Sequence, residues 1–379
     1  MVKRRFWLAK VQEAWKRRSV VWLAGVRRAG KTTVARGLPG VDYYDCELPD
    51  TRRIMEDPEK FLHARRGSHI VLDEVHRLPN PSEMLKIAAD HYPTVRILAT
   101  ASSTISASTK FKDTLTGRKA DLWLTPLMSA DLEDFGHPGL ERRMLNGGLP
   151  EYHLSRNLTG ADFQSWMDNF WAKDILTLFR IRDRESFERF TELLFIQSGG
   201  MFEAFGFSRS CGVSRETIRK YLYTLEYAFV AHVIRPFSSR RAVEIVSAPK
   251  VYAFDTGFVC NYRGWDRLKP EHLGLLWEHL VLNDIHARTQ SRRVLYWRDK
   301  LGHEVDFVLR QHGGKLTAIE CKWSAEAFDP AGFRHFSRAY PGSRLIVVAH
   351  DSKEKQTRNY DGLEVSFTNL AGLQDFLPV

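Results

Sequence analysis

Gly25-Val26-Arg27-Arg28-Ala29-Gly30-Lys31-Thr32-Thr33 decides the fold. It follows Ser19-Val20-Val21-Trp22-Leu23-Ala24, an apolar run of strand length. The spacing GxxxxGKT marks a loop that leaves a strand, wraps phosphate and opens a helix. Physics sets the residue types. Glycines let backbone N–H groups curl around an anion, and the helix start adds a favourable dipole. Lys31 is expected to reach the β- and γ-phosphates, and Thr32 to offer its hydroxyl to Mg²⁺. Gly25, Arg28, Gly30, Lys31, Thr32 and Thr33 are therefore the candidate cofactor-binding residues, with ATP and Mg²⁺ as the expected ligands.

Outward from this loop, a second strand should end in an acid, and His69-Ile70-Val71-Leu72-Asp73-Glu74 does so. Asp73 is placed to hold Mg²⁺ and Glu74 to orient the attacking water. A third strand, Val95 to Ala99, runs into Thr100-Ala101-Ser102-Ser103. Thr100, Ser102 and Ser103 are equally suited to sensing the γ-phosphate or to capping a helix. A helical stretch over Lys110 to Leu115 leads to Thr116-Gly117-Arg118 and a strand over Ala120 to Leu124. Ahead of the loop, Trp7, Val11 and Trp15 fall on one face of a short amphipathic helix.

Residues 1 to about 150 resemble a compact prokaryotic AAA-type ATPase. The likeness rests on the Arg27-Arg28 pair in the loop, the DEVHRLP stretch from Asp73, the LTGR segment ending at Arg118 and the Gly147-Gly148-Leu149-Pro150-Glu151 turn. It implies that Arg118 is a finger reaching a neighbouring subunit of a homo-oligomer. The competing reading is an arginine that bonds helix C-terminal carbonyls. It also implies that the chain continues into a winged helix and then a nuclease-like domain. Two positions depart from the family: Ala101 stands where glycine is commoner, and His76 where glutamine is commoner.

The middle of the chain fits this order. Phe163, Trp166, Phe170, Trp171 and Phe179 recur at helical spacing and read as core. Ser208 to Ser214 is a glycine-containing turn, and Ser214 is a good N-cap for a helix burying Ile218, Leu222 and Leu225. Helix, turn and capped helix is the helix-turn-helix order. Arg215, Arg219 and Lys220 are its candidate DNA contacts, and Phe229 to Phe237 and Ala242 to Val246 its candidate wing strands. A winged helix used for protein packing is the competing reading.

In the last third, Glu278 lies on a helix, Asp306 on a strand, and Glu320-Cys321-Lys322 on the next strand. Glu320 and Lys322 are two apart and face one side. Carboxylates so placed bind a hard divalent cation, and a lysine beside them positions a nucleophile. These residues are similar to the PD-(D/E)xK nuclease motif: Asp306, Glu320 and Lys322 match it, and Glu278 matches its helix acid. Glu278, Asp306 and Glu320 are thus candidate metal ligands and Lys322 a catalytic residue, as Glu74 and Arg118 are for ATP hydrolysis. Asp255-Thr256-Gly257 spells an aspartic-protease signature, but a second such motif is missing.

Composition bounds these readings. The chain has 379 residues, 43% hydrophobic and 27% charged, with net charge +10. That length suggests two or three globular domains. No apolar run is long enough for a membrane helix or a secretory signal. Cys46, Cys211, Cys260 and Cys321 show no zinc spacing, which predicts a reducing cytoplasm. Met1 to Gly37 holds eleven Lys/Arg against the single acid Glu13. The excess is local, which favours an anionic partner, DNA first, or else a solvated face beside the nucleotide site. The expected architecture is α/β: a P-loop NTPase parallel sheet with helices on both faces (1–150), a helical lid and winged helix (151–246), and a restriction-endonuclease-like domain (247–379). The expected function is ATP hydrolysis coupled to DNA binding and phosphodiester cleavage. The alternative is a switch or scaffold whose last domain binds nucleic acid or protein without cutting.

Overall fold

The computed structural model describes residues 2–101, 115–136, 139–179, 181–239 and 248–378. Ser102, Ser103, the helix expected over Lys110 to Leu115 and the wing strand expected over Ala242 to Val246 lie outside them, apart from Leu115.

The apolar runs of the first third become strands β1 (Val20–Gly25), β2 (Val41–Asp45), β3 (His69–Asp73), β4 (Arg96–Thr100) and β5 (Lys119–Leu124). They pair in the order β2-β3-β4-β1-β5, every pairing parallel. Every residue of β1 is buried, as expected for a parallel strand covered on both faces. Helix α1 (Arg5–Arg17) buries Trp7, Val11, Ala14 and Trp15, and the Trp15 indole donates to the Ile97 carbonyl at 3.0 Å.

Of the N-terminal cations, Arg4 and Lys31 are buried and take no part in an outward-facing surface. Five arginines of the N-terminal run pair with carboxylates: Arg4 with Asp131, Arg5 with Asp134, Arg17 with Glu13, Arg27 with Asp174 and Arg28 with Glu151. Four of these five acids lie outside the run, which a local charge count does not register. Arg4 is fully buried and also donates to the carbonyls of Ala29 (2.9 Å) and Thr125 (3.1 Å).

The middle region opens with the Gly160–Phe170 helix, capped by Thr159 and Asp162, which continues as a π-helix over Trp171–Phe179. Trp166 stacks on Phe170 and Phe254 with centroids 5.1 and 5.2 Å away, so the aromatic stripe is core. The helix expected to start at Ser214 is present, but Ser208 to Cys211, read from the sequence as part of the turn, belongs to the preceding helix, which shortens the turn to Gly212 to Ser214. Ala204–Cys211 ends at left-handed Gly212, and Arg215–Tyr227 starts at Ser214, which accepts from the Thr217 N–H at 3.1 Å.

The remaining strands are β6 (Gly200–Met201), β7 (Ala231–Pro236), β8 (Lys250–Ala253), β9 (Leu295–Arg298), β10 (Glu304–Arg310), β11 (Leu316–Lys322), β12 (Arg344–Ala349), β13 (Gln356–Tyr360) and β14 (Leu363–Thr368). They form one mixed sheet, β13-β14-β12-β11-β10-β9-β7-β8-β6. Strand β7 pairs antiparallel with β8 and parallel with β9. The sheet thus runs through the division expected at residue 246, because β7 satisfies its edges with strands from the last third. The long Pro270–Thr289 helix packs on β11 and reaches back to the first third: Asn283 donates to the Pro126 carbonyl at 3.2 Å, and Asp284 accepts from the Ser129 N–H at 2.9 Å. Asp255 caps the Thr256–Tyr262 helix and accepts from the Gly148 N–H at 2.6 Å, a structural role. Among the described residues no helix is long and apolar enough to cross a membrane.

Replacing Arg4 by methionine strands Asp131, which is fully buried, without its partner. The expected loss is about 3–5 kcal/mol, read as a lower urea midpoint. Arg17→Met, which removes a pair with Glu13 that is exposed on both sides, should leave the midpoint almost unchanged.

Candidate functional site

The phosphate-binding loop leaves β1 at Gly25. Its φ is +151°, and a Cβ there would sit 2.5 Å from the Leu124 carbonyl oxygen, so only glycine fits beside β5. Gly30, at φ +96°, turns the chain into α2 (Lys31–Gly37). Arg28 between them is also left-handed, with φ +63°. Lys31 is buried, and its ammonium donates to the carbonyls of Gly25 (2.9 Å) and Val26 (3.2 Å). Burial pulls its pKa down, while the charges of Glu74, Asp174 and Asp73 act in the opposite sense. Thr32 is exposed at the start of α2, and Thr33 is half-buried.

Parallel pairing brings the ends of β3 and β4 beside this loop. Asp73 is buried, and its carboxylate accepts from the Tyr43 hydroxyl and from Thr100 Oγ1. Thr100 Oγ1 in turn accepts from the Glu74 N–H at 3.1 Å. One hydroxyl therefore ties the two acids together. Of the three candidate sensors, the structure describes Thr100 alone and places it here. Glu74 is left-handed, with φ +52°, and His76 Nδ1 lies 3.1 Å from its Oε2. Burial pushes the Glu74 carboxyl up, but His76, Lys31 and Arg27 together pull it below the usual glutamate range. The structure places Arg118 on Asp90 of its own chain, Nε to Oδ1 at 2.8 Å.

On the helix-turn-helix, Arg215, Arg219 and Lys220 are all exposed, and the Arg215 guanidinium lies 4.7 Å from the Phe205 ring centroid.

The C-terminal carboxylates converge. The antiparallel register of β10 and β11 pairs Phe307 with Ile319, so one step further Asp306 faces Glu320. Asp306 is buried and accepts from the Cys321 N–H at 2.7 Å. Lys322 donates to Glu320 Oε1 at 2.8 Å. Glu320 Oε2 is buried with no hydrogen-bond partner among the described residues. Glu278 accepts from the Tyr252 hydroxyl at 3.0 Å. Burial and the Asp306 charge push the carboxyls of Glu278 and Glu320 up to about 8. An all-oxygen set with one unpaired buried acceptor fits a hard divalent cation. The three carboxylates do not close to within 4.8 Å of one another as they stand; among the described residues the group that does is Asp299, His303 and His335, each half-buried.

Sequence reasoning missed four neighbours of these sites. Tyr43 reaches Asp73 from β2. Lys250 and Tyr252, two apart on β8, face the carboxylates, and Lys250 pairs with Glu304. Asp174 pairs with Arg27. The alternation of Lys250 and Tyr252 in a short strand was the one available signal, and nothing in it pointed to Asp306.

Residues 17–132 match the AAA domain family, residues 137–269 a domain of unknown function (DUF8612), and residues 273–367 another (DUF4143). The uncharacterized proteins Mb2031c of Mycobacterium bovis and Rv2008c of Mycobacterium tuberculosis are each 29% identical over 326 residues, covering 83% of this chain and 72% of theirs. Among solved structures, the Walker-type ATPase PABY2304 of Pyrococcus abyssi is similar at TM-score 0.44 and 14% identity, over 69% of this chain and 96% of that one. Orc1 of Aeropyrum pernix, solved in complex with DNA, is similar at TM-score 0.27 and 15% identity, over 68% of this chain and 90% of that one. The match over 17–132 and the parallel sheet together identify the N-terminal part as a P-loop domain of the AAA type.

Glu278 and Glu320 hold protons in the folded protein that the unfolded chain releases near its ordinary value of 4.5. Their contribution to stability is complete below that value and is lost as pH rises through about 8. Thermal melts between about pH 6.5 and 8.5 should show Tm falling. The fall should flatten in Glu278→Gln/Glu320→Gln, and added Mg²⁺ should raise Tm most at the higher pH.

Proposed function

We propose that this protein is an AAA-type ATPase that binds and hydrolyses ATP, engages DNA through its helix-turn-helix, and carries a C-terminal centre that cleaves phosphodiester bonds. The observation behind the ATPase reading is the meeting of Lys31, Asp73, Glu74 and Thr100 where β1, β3 and β4 end. Gly25, Arg28, Gly30 and Thr33 shape or flank the loop that would wrap the phosphates. Lys31 would exchange its two carbonyl contacts for phosphate oxygens. Thr32 and Asp73 would hold Mg²⁺, which when bound neutralises phosphate charge. Glu74, kept ionised by His76, Lys31 and Arg27, would orient the attacking water and accept its proton. Arg118 would act on a neighbouring subunit of a homo-oligomer after leaving Asp90.

In the last third, Glu278, Asp306 and Glu320 would hold the divalent cation, and Lys322 would position the attacking water beside Glu320. The unpaired Glu320 Oε2 supports this reading. Arg215, Arg219 and Lys220 would contact DNA phosphates or base edges. Four free, buried cysteines support a reducing compartment, the cytoplasm. The domains proposed are 1–150, 151–246 and 247–379, the last two sharing the nine-stranded sheet. One observation favours the second reading, a nucleotide-driven switch whose last domain binds without cutting: the carboxylates stand too far apart to share one ion without moving.

Lys31→Ala should weaken ATP binding by at least about tenfold, because a charged hydrogen-bond donor to phosphate is lost. Fluorescent-nucleotide titration reads this, and unchanged affinity would sink the ATPase reading. A nuclease assay with Mg²⁺ or Mn²⁺ on single- and double-stranded DNA and RNA tests the rest. Cleavage abolished by Asp306→Ala or Glu320→Ala is expected. No cleavage on any substrate, with ATP hydrolysis intact, would leave the switch.

A further inference from the structure

The phosphate-binding loop is gripped by a segment from outside its own sheet. Arg27 Nε bonds Asp174 Oδ2 at 2.8 Å, and the Asp174 side chain is only 2% exposed. Asp174 belongs to the π-helix Trp171–Phe179. From the helix just before it, the Trp166 indole donates to the Arg27 carbonyl at 3.2 Å. One continuous element thus holds both the backbone and the side chain of a residue in the middle of the loop. The next residue, Arg28, lies 3.6 Å from Glu151. The Asp174 charge also acts on Lys31, alongside those of Glu74 and Asp73.

This arrangement is costly in two ways. A π-helix is a rare backbone state, frequently found at functional sites. A buried carboxylate beside phosphate-binding cations repels the phosphate those cations attract. Asp174 and a phosphate group are therefore rivals for the same positive charge.

We propose that Asp174 is an internal competitor of the nucleotide phosphates: phosphate takes Arg27 from it, and the π-helical segment then shifts. The inference rests on the nucleotide-binding reading of the loop. It gives that site a direct line to the rest of the chain. Trp166 stacks on Phe254 and packs edge-on against Phe258, both in the last third. A shift of Trp171–Phe179 therefore pulls on the contact between the ATPase sheet and the region that carries the carboxylate cluster. Asp174 is a positioning residue in this scheme. It touches the loop and no reacting atom.

The test is nucleotide affinity, where competition and simple structural support predict opposite signs. Fluorescent ADP and ATP are titrated into wild type, Asp174→Asn and Asp174→Glu. Competition predicts that Asp174→Asn binds about tenfold more tightly, the effect of about 1.4 kcal/mol, and that Asp174→Glu returns to the wild-type value. Equal or weaker binding by Asp174→Asn overturns the inference while leaving the nucleotide site intact. No binding by wild type overturns both. Hydrogen exchange on the wild-type chain supplies a second measurement that does not depend on a variant folding. Amides of Trp171–Phe179 should exchange faster with ADP or ATP and Mg²⁺ than without. Unchanged or slower exchange overturns the inference.

Discussion

A charge taken out of water must be paired, and in this chain that requirement joins its parts. Arg4 and Asp131, both fully buried, tie the first residues to the far end of the ATPase sheet. Asp255 accepts from Gly148 and Gly257 N–H groups, with Arg143 close by. The turn at Gly147 comes so near that a Cβ there would lie 1.9 Å from Asp255 Oδ1. Asp284 accepts from Ser129 and Arg288. The bonds of Asp255 to Gly148 and of Asp284 to Ser129 cross between distant parts of the chain, and Arg4 with Asp131 closes the N-terminal region on itself. Breaking one leaves an uncompensated charge in a low-dielectric interior, which costs far more than an exposed pair returns.

The two candidate sites use this constraint in opposite ways. Around the phosphate loop, cations and acids are nearly matched: Arg27 and Lys31 face Asp73, Glu74 and Asp174. His76, Lys31 and Arg27 hold the Glu74 carboxyl below the usual glutamate range there. In the last third, Glu278, Glu304, Asp306 and Glu320 outnumber Lys250 and Lys322. The surplus shows in the carboxyl groups, which burial and mutual repulsion push up. A surplus of buried negative charge is removed by protons or by a cation. That is the physical link between this cluster and a divalent ion, independent of any motif.

The helix-turn-helix stands apart from both. Its buried face, Ile218, Tyr221, Leu222 and Leu225, packs inward, while Arg215, Arg219 and Lys220 remain in water. It joins the remainder through β7, which enters the nine-stranded sheet between β8 and β9. That sheet gives the middle and last thirds of the chain a shared hydrogen-bonded framework.

What the sequence determined by itself was whatever depends on contiguous residues. The loop from Gly25 to Thr33 was legible because wrapping phosphate needs consecutive backbone groups at set spacing. Asp73 and Glu74 were legible at the end of an apolar run, and the Ser214 cap and Gly212 turn follow from local backbone preferences. Glu320 and Lys322 were legible because strand alternation puts them on one face, with Asp306 able to face them from the adjacent hairpin strand. Only the tertiary structure decided that Tyr43 and Thr100 share Asp73, that Lys250 and Tyr252 join the carboxylates, and that Asp174 holds Arg27. It also decided that five arginines of the basic N-terminal run pair with carboxylates. These outcomes depend on strand order and on which segments pack together, and Coulomb energy depends on distance in space, which position along the chain does not encode.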